Sequence, residues 1–307
     1  MKFLITIWCF LSLAILVFPA QGQDVDLDAK SKIPVSWEDS LSAAGNRLQN
    51  GEDARQRRQA SNEISSLLRQ VLSQKGSWDL AFDMIPQVSV LTPKDESFRI
   101  FTWQLFLDPD HYQHSGLVQW KKDPTHVVLL NDRSDEYLRP ESTIGSPDHW
   151  YGAVYYGIRE CKLNRQPYWL LFGYDGHSAT SQRKIIDVLA VDDQGTLTFG
   201  APVFHFDDDA RPREPIHRLV MDYAIGSRVR VRYDEHYKMI LYDHLIPFAD
   251  DRSGLGLVNI PDGTYEGFIY KKGLWQHIEK VFHKVMDEAP VDFPVLDGRK
   301  KKDIFGQ

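Results

Sequence analysis

Two stretches after residue 35 repeat their apolar residues at the three- and four-residue spacing of an α-helix. In the first stretch the apolar positions are Trp37, Leu41, Ala44 and Leu48. In the second stretch they are Ile64, Leu67, Leu68, Val71 and Leu72. The pattern predicts two helices, ending near Gly51 and Gly76, and each has one apolar face to pack against the rest of the protein.

Beyond residue 78 the apolar period shortens toward the two-residue alternation of a β-strand. Runs rich in β-branched and aromatic residues are separated by groups of Gly, Pro, Asn and Asp. The runs that predict strands are residues 88–91, 98–107, 116–121, 126–130, 152–161, 168–174, 184–191, 196–199, 203–206, 217–223, 229–233, 239–242, 257–260 and 265–271. The segments between them are too short for crossover helices, so antiparallel pairing is expected.

The predicted fold is therefore mainly β, and α+β overall, with antiparallel strands and an N-terminal helical pair. The pattern leaves a multi-stranded meander, a sandwich and a barrel-like sheet open. We assign residues 35–77 to the helical pair packed on the sheet and residues 78–286 to the β-rich domain. Segment 274–286 has apolar positions at helical spacing, which predicts a short closing helix. Segment 228–232 alternates strictly between arginine and valine, which predicts a strand with one face in water.

The first 22 residues have the pattern of a secretory signal peptide. Lys2 precedes the apolar run 3–18, and small residues then lead to a cleavage site after Gly22. A membrane anchor is the alternative, but the run is shorter than the roughly 20 residues that span a bilayer. We expect an exported protein without a transmembrane segment in its mature chain. Residues 23–34 are then a polar, flexible lead-in, and residues 287–307 form a solvated tail.

Charge and cysteine content narrow the class of protein further. The chain carries 43 acidic and 36 basic residues, a net charge of −7, so nucleic acid is not an expected partner. Only Cys161 remains after the leader is removed, and no intrachain disulfide can form. Stability must then come from packing of the apolar and aromatic side chains.

No strong catalytic or cofactor motif is present in the sequence. It has no glycine-rich phosphate loop, no Gly-x-Ser-x-Gly elbow, no His-Glu-x-x-His and no cysteine pairs for zinc. The sequence therefore identifies no metal site, no cofactor and no catalytic residue. The candidate ligand-binding residues are Asp175, His177, Asp243 and His244, which lie in predicted strand-end loops. Such residues supply an acid, a base or a ligand contact, although aspartates at strand ends also cap turns.

Three further groups of residues have both a binding and a structural interpretation. His111 and His114 lie in a polar loop, where they are ligands or ordinary polar contacts. The arginines of segment 228–232 either receive an anion such as a sulfated sugar or form cross-strand ion pairs. The tryptophans stack on sugar rings or, by default, fill the core. The tryptophans concerned are Trp103, Trp120, Trp150, Trp169 and Trp275.

Several phrases together resemble an uncharacterised family of secreted, β-rich proteins from Gram-negative bacteria. The phrases are FRIFTW at 98–103, YGAVYY at 151–156, LLFGYDG at 170–176, KIIDVL at 184–189, FGAPVF at 199–204, DHL at 243–245 and PDGTYEGF at 261–268. The resemblance covers roughly residues 90–275. It implies an exported, β-rich protein of the bacterial envelope, and because the family has no known activity it transfers no catalytic residue.

The leading functional hypothesis is an exported, non-enzymatic protein, periplasmic or secreted, that binds an envelope ligand or a protein partner. The alternative is a hydrolase that acts on glycans with Asp and His residues of the strand-end loops. Glycoside hydrolysis needs two carboxyl groups about 5–10 Å apart in one cleft. A third hypothesis, a structural envelope component, predicts a broad exposed apolar patch.

Overall fold

The fold is mainly β, with antiparallel sheets and a helical pair at its start, as the sequence predicts. The computed structural model describes residues 37–163, 166–192, 194–207, 214–250 and 256–282. These residues all fall within one compact unit, Ile33–Gln307. The predicted signal peptide, lead-in and tail lie outside the described residues.

Both predicted helices are present. Helix α1 spans Trp37–Asn50 and helix α2 spans Ala54–Leu72. The carboxylate of Asp53 accepts a hydrogen bond from the Gln56 amide at 2.7 Å, which satisfies one of the free N–H groups at the start of α2. Short 3₁₀ turns follow at Ser77–Asp79 and, later in the chain, at Ser134–Glu136.

The strands form three open sheets. In chain order they are β1 Ser89–Leu91, β2 Phe98–Asp108, β3 His111–Trp120, β4 Val127–Asn131, β5 Val154–Leu163, β6 Gln166–Asp175, β7 Ser181–Val191, β8 Leu197–Phe199, β9 Phe204–His205, β10 Leu219–Ala224, β11 Val231–Asp234, β12 Met239–Asp250, β13 Gly256–Lys271 and β14 Leu274–Ile278. The first sheet has the order β1-β2-β3-β4, and the second has the order β10-β7-β6-β5 with β8 beside β7. The third has the order β11-β12-β13-β14-β9. All pairs are antiparallel except the short contact between β14 and β9.

The helical pair packs on the first sheet. The apolar faces of α1 and α2 share one core with β2 and β3, in which Leu41, Ile64 and Leu68 are fully buried. The indole of Trp103 on β2 donates a hydrogen bond to Ser61 Oγ of α2 at 2.9 Å, which fixes the angle between helix and sheet. The predicted role of the amphipathic faces is therefore confirmed.

The predicted closing helix over 274–286 is wrong. Residues Leu274–Ile278 form strand β14, which pairs with β13 through a two-residue turn at Lys272 and Gly273. Both turn residues have positive φ, 50° and 89°, which is the conformation of a tight hairpin. The turn and the burial of Trp275 against the second core outweigh the helical spacing of the apolar residues. The part of this prediction beyond residue 282 lies outside the described residues.

Strands β12 and β13 are longer than the sequence predicts. Strand β13 joins two predicted runs, 257–260 and 265–271, and β12 continues past its predicted end at residue 242. The pairing shifts register between Asp243 and Leu245, so the break in the alternation is a bulge and not the end of a strand. This irregularity places His244 in the candidate site.

Most of the tryptophans fill the core. Trp103, Trp150, Trp169 and Trp275 are at most 3% exposed. In segment 228–232 the two valines are buried and the three arginines are exposed, so the predicted one-sided burial is confirmed, although strand β11 begins only at Val231. Cys161 lies partly buried on β5, and burial raises the pKa of its thiol to about 12, which makes it a poor nucleophile.

A buried ion pair crosses the core between the second sheet and the loop that follows residue 137. Arg218 and Asp187 are both fully buried, with Arg218 Nε 2.9 Å from Asp187 Oδ1. The Tyr155 hydroxyl donates to Asp187 Oδ2 at 3.1 Å, and Arg218 Nη1 donates to the Pro140 carbonyl at 2.9 Å. Because both charges are paired and hydrogen-bonded, the pair holds β7 and this loop in one arrangement.

Candidate functional site

The four candidate residues fall into two separate clusters. Asp175 and His177 meet where β6 ends, and the His177 amide donates to Asp175 Oδ1 at 2.8 Å. Asp243 and His244 are neighbours at the register shift between β12 and β13 and line a cavity. Among the described residues, no hydrogen bond or ion pair joins one pair to the other.

The first cluster is a row of carboxyl and basic groups that runs from the interior to the surface; we call it the Asp175 cluster. Its members are Asp132, His114, Asp175, His177, Arg183 and Asp222. At the buried end, His114 Nδ1 lies 3.1 Å from Asp132 Oδ2, and Nε2 lies 3.6 Å from Asp175 Oδ1. At the outer end, Arg183 Nε lies 2.6 Å from Asp222 Oδ1.

The contact between His114 and Asp132 sets the charge of both groups. Burial acts to lower the pKa of His114, but the hydrogen bond and charge of Asp132 and the charge of Asp175 raise it above its ordinary value. Burial acts to raise the pKa of Asp132, but hydrogen bonds from His114 and Ser134 hold it at about 2. His114 is therefore stabilised as an imidazolium between two carboxylates.

Two glycines make room for the Asp175 cluster. A Cβ atom at Gly152 would lie 2.4 Å from Asp132 Cγ, and one at Gly176 would lie 2.6 Å from the ring of Tyr112. His177 has a φ of 55°, a strained conformation for a residue other than glycine. The cluster links β3 of the first sheet to the end of β6 in the second, and the Asp175 side chain is only 9% exposed. These features indicate a structural connection between sheets.

The second cluster borders a cavity of about 310 Å³, which we call the His244 cavity. Its lining residues are Glu141, Phe206, Ile216, Leu219, Val220, Met221, Tyr242, Asp243, His244, Leu245 and Glu266. Apolar side chains of β10 and of the segment before it form one wall. Most of the ionisable lining groups belong to β12 and β13, and Glu141 adds one more. An apolar wall that faces a few converging polar groups is typical of small-molecule sites.

Glu266 is the centre of the polar wall. Its Oε2 accepts hydrogen bonds from the Tyr242 hydroxyl at 2.7 Å and interacts with His277 Nε2 at 2.9 Å. Its Oε1 lies 2.5 Å from His244 Nδ1. Burial acts to raise the pKa of Glu266, but the bonds with His277, Tyr242 and His244 hold it at about 2. Glu266 is therefore a fixed negative charge that orients both imidazole rings.

The register shift between β12 and β13 lies where His244 and Asp243 border the cavity. His244 has no cross-strand partner in the register, and its ring turns to Glu266 while Nε2 lies 3.9 Å from Asp262 Oδ2. Asp243 is 8% exposed, and its Oδ2 accepts a hydrogen bond from the Arg230 amide at 2.5 Å. Burial raises the pKa of Asp243, so this carboxyl group holds a proton more readily than Glu266 does.

No local pattern in the sequence marks the side chains that hold the two clusters together. Glu266, His277 and Asp132 come from chain segments far from the residues they contact, and no local spacing marks them. His114 was considered only as a polar loop residue, although it lies on β3. The one usable signal was the phrase PDGTYEGF, which contains Glu266 two positions before the buried Phe268.

Comparisons with protein-family models, with curated proteins and with solved structures find no match to this chain. The site is therefore interpreted from its own residues. In the part of the chain that the structure describes, no three His, Cys, Asp or Glu side chains are grouped so that they can hold a metal ion. No helix in the same part is long and apolar enough to cross a membrane.

Proposed function

We propose that this chain is a non-enzymatic binding protein that takes a small ligand into the His244 cavity. One observation carries the proposal: Glu266, His244, Tyr242 and Asp243 line the same cavity as a set of apolar side chains. Ligand sites combine apolar contact area with a few fixed polar groups that orient the ligand. The hydrogen bonds around Glu266 fix the orientation of these polar groups.

The lining of the His244 cavity favours a compact ligand with an apolar side and hydrogen-bond donors. Leu219, Met221 and Leu245 offer apolar contact, while the carboxyl groups of Asp243 and Glu141 offer acceptors. A volume of about 310 Å³ is at the small end of the range for ligand pockets. Amino alcohols, aromatic amines and monosaccharides have this combination of size and chemistry.

Filling the cavity is expected to abolish ligand binding without unfolding the protein. We would measure Tm against a panel of amino alcohols, aromatic amines and monosaccharides. A ligand at about one hundred times its Kd is expected to raise Tm by about 5 °C. Leu219→Trp places an indole in the partly buried wall and is expected to remove that rise.

The control for Leu219→Trp is Leu138→Trp, because Leu138 is 97% exposed and lies outside the cavity. The control variant should keep the full ligand-induced rise in Tm. Equal stabilisation of wild type and Leu219→Trp by the same compound would place the ligand elsewhere and contradict the proposal.

The setting that we propose for this binding protein is the bacterial envelope, periplasmic or secreted. The leader pattern of residues 1–22 supports export, and the resemblance to the secreted Gram-negative family supports the envelope. N-terminal sequencing of the protein recovered outside the cytoplasm, with Gln23 expected as the first residue, tests both the export and the cleavage site.

A glycan hydrolase is the second candidate function, and the pairing of Glu266 with His244 favours it. A carboxylate on Nδ1 orients an imidazole so that Nε2 can accept a proton. Asp243 lines the same cavity with its pKa raised by burial, whereas that of Glu266 is about 2. Carboxyl groups whose pKa values are pushed apart are typical of acid and base pairs.

The hydrolase hypothesis is tested by the release of reducing ends from soluble envelope glycans. Under this hypothesis His244→Ala is expected to lower kcat by at least about one hundredfold. His149→Ala is the control, because His149 also contacts a glutamate, at 3.0 Å, but lies outside the cavity. Wild-type protein that binds a glycan and releases no reducing ends supports the binding function and excludes this activity.

A further inference from the structure

A second cleft lies between β5 and β11 and shares no lining residue with the His244 cavity. It has a volume of about 460 Å³. Its walls are Thr92, Lys94, Tyr156, Gly157, Ile158, Arg159, Glu160, Phe172, Val231, Arg232, Tyr233 and Glu235. Four chain segments line it, at residues 92–94, 156–160, 172 and 231–235, so the cleft exists only in the folded protein.

A β-bulge places the aromatic ring of Tyr156 at this cleft. The register of β5 with β6 passes from Tyr155 to Gly157, which leaves Tyr156 as the extra residue. The Tyr156 hydroxyl donates to the Val231 carbonyl at 3.0 Å, so the ring is held against β11 while its side chain stays 41% exposed. Bulges often re-aim a side chain at a binding site.

Gly157 deepens the cleft beside the ring of Tyr156. A Cβ atom at this position would come within 3.2 Å of the Phe172 ring, which forms part of the wall. The exposed ring surface of the cleft is that of Tyr156, because Phe172 is only 4% exposed.

Each cation of the cleft lies beside a carboxylate. The Arg159 guanidinium lies 3.6 Å from the centre of the Tyr233 ring and forms an ion pair with Glu235. Lys94 Nζ lies 4.0 Å from the same glutamate, and Arg232 Nη2 lies 3.2 Å from Asp234 Oδ2. Cations that are already paired do not need an anionic ligand. The remaining N–H groups of these cations, and the free lone pairs of their carboxylate partners, can still form hydrogen bonds with a ligand.

We propose that this cleft binds a neutral saccharide ring. Each hydroxyl group of a sugar is both a donor and an acceptor, which matches the mixture of guanidinium and carboxylate groups around Glu235. The apolar C–H face of the sugar ring packs on the ring of a tyrosine. A tyrosine side chain suits such a site because its ring is apolar and its hydroxyl group forms hydrogen bonds. The lining residues of this cleft include no tryptophan, so its sugar-stacking surface is provided by tyrosine.

The test is isothermal titration calorimetry of the full chain with neutral hexasaccharides of glucose, mannose and N-acetylglucosamine, and with an oligogalacturonate as the acidic comparison. At least one neutral hexasaccharide is expected to bind more tightly than the oligogalacturonate. Tyr156→Ala is expected to weaken that binding by about tenfold, because the stacking ring is lost. Tyr156→Phe keeps the ring and should stay within about threefold of wild type.

Tyr237→Ala is the matched control, because Tyr237 is 51% exposed and lies outside the cleft. Arg232→Ala removes a 62% exposed side chain at the rim and gives a variant with little risk to folding. It is expected to weaken binding by about threefold. Leu219→Trp should leave saccharide binding unchanged, which separates this site from the His244 cavity. Absence of binding to every neutral hexasaccharide, or equal losses in Tyr156→Ala and Tyr237→Ala, would overturn the proposal.

Discussion

Replacement of Asp187 by alanine is expected to lower the free energy of unfolding by about 3–5 kcal/mol. The change leaves the guanidinium of Arg218 buried without its carboxylate partner, which lies 2.9 Å from Nε in the native protein. It also removes the acceptor of the Tyr155 hydroxyl. Equilibrium unfolding in urea, followed by tryptophan fluorescence, measures the loss.

The control for Asp187→Ala is Asp222→Ala, which breaks an arginine–aspartate contact of 2.6 Å between β7 and β10. The Asp222 side chain is 46% exposed, so its loss should cost less than about 1 kcal/mol. Arg218→Met combined with Asp187→Leu removes both charges and should recover part of the lost stability. Similar losses from Asp187→Ala and Asp222→Ala would contradict the structural role of the buried pair.

Replacement of Asp132 by alanine is expected to cost about 3–5 kcal/mol as well. Asp132 accepts hydrogen bonds from the His114 amide at 2.7 Å, from Ser134 N at 2.9 Å and from Gly152 N at 3.2 Å. It also lies 3.1 Å from Nδ1 of the buried His114 ring, and its charge raises the pKa of that ring. Urea unfolding at neutral pH measures the cost, with Asp135→Ala as the control because the Asp135 side chain is 84% exposed.

The contribution of Asp132 should also have a defined pH dependence. Its pKa is about 2 in the folded protein against an ordinary 3.8, so its stabilisation is complete above the ordinary value and is lost as the pH falls toward 2. For His114 the pKa is raised from 6.5, so its stabilisation is complete below that value and is lost as the pH rises through the folded pKa. The stability difference between wild type and Asp132→Ala should therefore shrink on acidification to about pH 3. If the difference in the free energy of unfolding stays constant from pH 6 to about pH 3, the charge of Asp132 does not stabilise the folded state.

The elements of the fold could largely be predicted because their signals are local. The apolar spacing of α2 predicts which face of the helix is buried, and the arginine–valine alternation of 228–232 predicts which side of that segment is buried. The helix prediction failed at Leu274–Ile278 because the positive φ of Lys272 and Gly273 and the packing of Trp275 depend on distant strands. Helical spacing in a short segment does not contain that information.

The candidate site could be predicted only in part, because its contacts join distant positions. Asp243 and His244 were found as polar residues at the end of a predicted strand, and both line the His244 cavity. Their partner Glu266 lies on β13, and His277 on β14, so the cluster depends on strand register. Asp175 and His177 were found by the same signal, but the structure connects them to His114 from another sheet.

The most direct measurement of the central claim is a nitrogen–proton NMR spectrum of the histidine rings during titration with a compound that raises Tm. His244→Ala identifies the His244 ring resonances by their disappearance. We predict that the ligand shifts the His244 ring and leaves the exposed ring of His126, which lies outside the cavity, in place. A stabilising compound that leaves the His244 ring unchanged would contradict a ligand site in the His244 cavity.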